Sequence, residues 1–274
     1  MKKKILFLSG GIISFCFALT SCNKEPLPVM EAKQSTTLQN SLRGNPNQVN
    51  VFKGPEVHMG NGKIRSWISI NHADIPQEIG VEMENASLFG LPQNPTDFPA
   101  ATFMLPLHQK AKQLTAFDHI VVNWNVHGHE PEQVFDVPHF DFHFYTISVA
   151  EQLAIPPYPM APADFDNLPP NNYWPDMYFP TAGGVPQMGK HWADGFFVPP
   201  FTKTMIYGSF KGRFIFVEPM VTRALMLSGN TYTETYRQPH VFVPDHKFYP
   251  TVYNIYKNAA SNKHYVTLSN FVWR

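Results

Sequence analysis

The sequence predicts an all-β domain, a single antiparallel sandwich or barrel, with short helical turns and one long proline-rich loop. Three observations lead there. Phenylalanine (23) and tyrosine (11) are abundant while charged residues make up only 15% of the 274 positions, a composition that suits pleated, half-buried surfaces. The 26 prolines and 16 glycines cut the chain into short runs, as turns between strands do. No apolar pattern at helical spacing runs beyond about three turns.

Residues 63–71 (KIRSWISIN) alternate well enough for a strand, and residues 76–84 supply its neighbour. Residues 85–91 are expected to form one helical turn. Strands follow at 102–107 and 119–126, and the loop 128–138 returns the chain into an aromatic strand at 139–145. A helical turn at 150–153 ends before Pro156, which cannot continue it. Residues 155–200 carry a proline about every four positions and are expected to be an irregular wall or lid over a site. Lys211-Gly212 then joins strands 202–210 and 213–221 in a two-residue hairpin turn. Closing strands are expected at 231–237, 249–257 and 264–273, with a turn at 258–262.

The N-terminus is an address before it is structure. Lys2, Lys3 and Lys4 precede an apolar run at 5–19, followed by Leu19-Thr20-Ser21-Cys22. The run is too short for a membrane span and suits a signal peptide. The Leu-Thr-Ser-Cys ending resembles the lipobox of bacterial lipoproteins. That resemblance implies lipidation of Cys22, a mature chain starting there, and a membrane partner reached through the lipid. It places the protein in the bacterial cell envelope, at the outer membrane, on its periplasmic or surface side. Residues 23–51 are polar and broken by proline, a tether, which leaves 52–274 as a single β-rich domain. Cys16 leaves with the signal and Cys22 carries lipid, so the body has no cysteine, no disulfide framework and no thiolate ligand. Loss of the three lysines leaves 18 basic against 21 acidic residues. A net charge of −3 gives no basic surface for nucleic acid.

Chemistry concentrates at residues 126–145 (VHGHEPEQVFDVPHFDFHFY), which hold four of the twelve histidines. In a strand, His139, Asp141, His143 and Tyr145 share one face and Phe140, Phe142 and Phe144 the other, so a half-buried strand is expected. Imidazole and carboxylate together suit a divalent transition metal such as zinc, iron or manganese. His127 and His129, two apart, make an easy pair. His139 and His143 lie about 13 Å apart in a regular strand, so one ion would reach both only at full stretch or across a bulge. The candidate ligands are therefore His127 and His129 with one of His139 or His143. Glu130, Asp141 or the distant Glu218 would complete the set, and His191 would support it. Asp141 and Glu218 are the candidate catalytic bases, and Asp141 has a second possible role in orienting an imidazole.

The segments HGHEPEQVFDVPHFDFHFY, VPQMGKHWAD and FTKTMIYGSFKGRFIFVEPMVT resemble an uncharacterised family of exported bacterial proteins, over about residues 63–273. The resemblance implies a β-rich exported domain and supplies no activity. His127-Gly128-His129 is also similar to the His-x-His start of cupins, but the glutamate and glycine spacing that follows in cupins is absent. Two functions are open at this level. One is a metal-binding pocket, catalytic as a hydrolase or oxygenase or purely structural, with room for a small-molecule ligand. The other is metal-free: a ligand- or carbohydrate-binding surface built on Trp67, Trp124, Tyr173, Trp174 and Trp192, or a structural surface protein whose histidines form a hydrogen-bonded network. A G-x-S-x-G nucleophile motif and a glycine-rich phosphate loop are both missing.

Overall fold

The computed structural model describes residues 49–94 and 101–274. The expected signal peptide, Cys22 and most of the tether lie outside those residues. Two seven-stranded antiparallel sheets form a sandwich. Each sheet is open at both ends, so of the two expected all-β architectures the sandwich is the one adopted and the barrel is not.

The first sheet contains β1 (Val49–Lys53), β2 (Val57–Met59), β3 (Gly62–Asn71), β4 (Pro76–Glu84), β12 (Tyr232–Thr235), β13 (Phe248–Asn258) and β14 (Lys263–Trp273). Its order is β1-β3-β4-β14-β13-β12, with β2 also on β3. The second contains β5 (Thr102–Pro106), β6 (His119–Asn125), β7 (His139–Tyr145), β8 (Tyr178–Pro180), β9 (Lys190–Asp194), β10 (Lys203–Phe210) and β11 (Arg213–Thr222). Its order is β5-β6-β7-β11-β10-β9-β8. β1 begins at Val49, so residues 49–51 belong to a strand and not to the tether. Four of its five side chains are exposed, and an edge strand of that kind carries no amphipathic signal.

Period-two alternation builds the core. Phe140, Phe142 and Phe144 of β7 are fully buried against Ile68, Val81, Val266 and Leu268 of the first sheet. The outer face of the first sheet is tied down by charge. Glu82, 6% exposed, takes Lys53, Arg65 and Lys263 at 2.7–2.9 Å. Burial works against its ionisation, yet the three cations hold its pKa down to about 2.

Segment 155–200 is less irregular than its prolines suggest. It contains α3 (Pro162–Asp166), two 3-10 turns, β8 and β9, so it extends the second sheet as well as covering it. Ile155, Phe165 and Met188 form a second core with Val121, Tyr145 and Phe216. This cover buries Tyr145, while His129 and Phe201 close over His139 and His129 over Asp141, so all seven residues of β7 are buried where the sequence suggests a half-buried strand. Three further helices, α1 (Gln109–Leu114), α2 (Val149–Leu153) and α4 (Arg223–Ser228), are one or two turns long. They are defined by their caps: Ser148 and Glu151 form a capping box on α2, and Thr222 accepts from the Leu225 N–H on α4. Among the described residues no helix is long and apolar enough to cross a membrane.

Candidate metal centre

The outer face of the second sheet is the floor of a cavity of about 750 Å³. β6 contributes Asn123 and Asn125, β7 contributes Asp141, β9 His191, and β11 Glu218 and Met220. The β6–β7 connection makes one wall, and Thr181, Ala182, Val185 and Met188 form the roof. A smaller cavity of about 310 Å³, lined by Phe214, Tyr236, Phe242 and others, has no histidine or acid in its lining.

The wall is bent back by its glycine. Gly128 has φ +73°, and a Cβ there would lie 2.0 Å from the Phe135 carbonyl oxygen, so no other residue fits without moving the loop. That close return lets the His129 N–H donate to the Phe135 carbonyl at 3.2 Å and sets the His129 ring 4.7 Å from His139, centroid to centroid. Phe201 packs edge-on against His139 at 5.2 Å.

Two groups of donors result, each of two histidines and one carboxylate, and each could hold a metal ion. In the first, His129 Nε2 lies 3.5 Å and His139 Nε2 3.2 Å from the Asp141 carboxylate. Both rings have their tautomer fixed from behind. His139 Nδ1 sits 2.7 Å from the Val137 carbonyl and His129 Nδ1 2.8 Å from the Glu130 carbonyl. A carbonyl can only accept, so each Nδ1 carries the hydrogen and, in the neutral ring, each Nε2 presents a lone pair. Two imidazole nitrogens and a carboxylate thus converge, an arrangement that calls for a proton or a metal ion among them. Asn125 relieves part of this, donating to Asp141 at 2.6 Å. Burial would raise the Asp141 carboxyl, but His129 and His139 hold it well below its ordinary range. Burial would lower His129, yet the Asp141 carboxylate outweighs it and raises that imidazole.

The second group stands beside it. The register Val217↔Phe144 and Met220↔Asp141 brings Glu218 alongside His143, with Nε2 to Oε2 at 3.4 Å. His191 Nε2 reaches the same oxygen at 3.7 Å. It crosses the sheet because its partner on β10 is Gly208, where a Cβ would collide with the Phe216 ring. Phe216 fills that space and packs on both imidazoles, at 4.7 and 5.5 Å. Burial lowers His143 to about 3 and His191 to about 4, so both are neutral at pH 7. Burial and the nearby Asp141 charge push the Glu218 carboxyl well up.

The candidate residues are thus divided. His129, His139 and Asp141 come together; His143 goes to the other group with His191 and Glu218. His127 is exposed at the cavity wall and belongs to neither. Glu130 is exposed too, and what it gives the site is its backbone carbonyl. Asn123 and Asn125 were not among the sequence candidates. Their two-residue spacing in the VVNWN run of β6 was the available signal. Of the aromatic candidates, Trp67, Trp124 and Trp192 are buried, and Trp174 packs on Trp192 at 4.8 Å.

Compared with family models, with curated proteins and with solved structures, the chain gives no match.

Proposed function

We propose that this chain is an envelope-anchored metalloprotein whose cavity binds a transition metal at His129, His139 and Asp141 and uses it to hydrolyse a small substrate. One observation carries this: two imidazoles whose Nδ1 hydrogens are held by backbone carbonyls aim their Nε2 lone pairs at one carboxylate. Backbone carbonyls that accept from the far ring nitrogen in this way orient metal-ligating histidines.

Zinc is the metal proposed, because two histidines and one carboxylate are a donor set of catalytic zinc sites. Three protein ligands leave a fourth position for water, and a zinc ion would bring that water's pKa down to about 7. His129, the exposed member of the set, keeps that position next to the cavity. Asn125 restrains the Asp141 carboxylate. The lining has no lysine or arginine, while Asn123 and Thr102 offer hydrogen bonds among Val126, Phe135, Ile206 and Met220. A substrate with an apolar body and a few donors or acceptors suits it.

The experiment is hydrolysis of an activated ester by the zinc-reconstituted chain. A pH–rate profile rising with one ionisation near 7 is expected, and it should be absent in Asp141→Asn. Equal rates for the two proteins would remove the hydrolase proposal. Two histidines and a carboxylate are also the donor set of non-haem iron oxygenases, and oxygen uptake by the iron-loaded chain alone would transfer the proposal to that chemistry. The anchor is supported by the Leu19-Thr20-Ser21-Cys22 motif. Cys22→Ala is expected to leave the membrane fraction; retention there would argue for a different attachment.

A further inference from the structure

We propose that His143, His191 and Glu218 bind a second metal ion, so that two ions stand side by side on the cavity floor. None of these residues belongs to the first ligand set, so the two proposals fail separately.

Unpartnered buried atoms are the first ground. Both ring nitrogens of His143 and Oε2 of Glu218 have no hydrogen-bond partner, although the residues are 0% and 1% exposed. Nearly all such groups in folded interiors are partnered, by protein, by water or by an ion. A proton shared between them is a poor substitute. The 3.4 and 3.7 Å separations exceed O–H···N contact distances, and hydrogen bonds weaken with such stretching. Around a shared ion about 2 Å from each donor, similar separations are the ordinary ones.

The second ground is how the three are held. They come from β7, β11 and β9, rigid strands of one sheet, with Phe216 packed against both imidazoles. Gly208, with no side chain, leaves the room that the Phe216 ring occupies. Two imidazoles and one carboxyl group, which gives up its proton when it ligates, suit a divalent transition metal and not calcium or magnesium, which prefer all-oxygen shells. Asp141 and His143 are two residues apart along β7, about 6.6 Å. One substrate can therefore touch both ions while each ion keeps its own carboxylate.

The test is zinc content by mass spectrometry on the full chain, purified without a histidine tag, stripped, reloaded and desalted. Wild type is expected to hold two equivalents. Glu218→Gln, His191→Ala and Asp141→Asn should each hold one, and Asp141→Asn/Glu218→Gln none. Wild-type zinc content in both Glu218→Gln and His191→Ala would overturn the second site and leave the first intact. Loss in those two with none in Asp141→Asn would overturn the first and support the second. Near-UV circular dichroism checks folding; if the buried Gln variant is unfolded, His191→Ala, at the more exposed corner, decides.

Discussion

Asp141→Asn should weaken metal binding at the first site by at least about 100-fold. Changing even an outer partner of a metal ligand typically costs 10–100-fold in affinity, and Asp141 is the sole carboxylate among its three donors. The amide is nearly isosteric, so the packing around His139 and Met220 should survive, and near-UV circular dichroism should be unchanged. Competition with a chromophoric zinc chelator gives the affinity. A change under tenfold would mean that Asp141 is no ligand. The pH dependence has a definite sign. Metal ligands must be deprotonated, and Asp141 raises His129 above its ordinary value. Protons therefore compete for His129 at higher pH than for a free imidazole, and zinc affinity should fall as pH drops through that raised value. Asp141→Asn removes the carboxylate that raises it, so the residual affinity should begin to fall only at lower pH.

The second large effect is on stability. A ligand that binds only the folded state stabilises it by about 4.1 kcal/mol at a free concentration 1,000 times its dissociation constant. For a domain of 150–250 residues each kcal/mol moves the melting temperature by about 2–4 °C, so stripping zinc should lower it by about 8–16 °C. Readdition should restore it in wild type but only partly in Asp141→Asn. Differential scanning fluorimetry with and without chelator checks this. An unchanged melting temperature in wild type would say that the acceptors around Asp141 are satisfied by protons alone.

Much of the fold was legible because the relevant strands alternate and end in turn residues. β3, β4, β6, β7, β10, β11, β13 and β14 fall within a few residues of the expected segments. The Lys211-Gly212 turn, with φ of 52° and 78°, is the hairpin its sequence announced. β8 and β9 escaped because prolines surround them and they are only three and five residues long. α1 and α4 escaped because six residues are too few for a helical period to show.

The site was legible up to the limit of local information. Alternation alone placed His139, Asp141 and His143 on one face, and the closing of the β6–β7 connection brought His129 to His139. The partition into two groups was not legible. It depends on β11 lying beside β7 in one register, and the chain between them is long enough that no local pattern fixes it. The same holds for His191, whose reach to Glu218 needs Gly208 on the strand between.

Anomalous diffraction at the zinc edge from crystals of the reconstituted chain tests the central claim most directly. The predicted result is a peak within about 2.1 Å of His129 Nε2, His139 Nε2 and an Asp141 oxygen, with His127 uninvolved. A peak at His127 or at other surface histidines, with none beside Asp141, would contradict it.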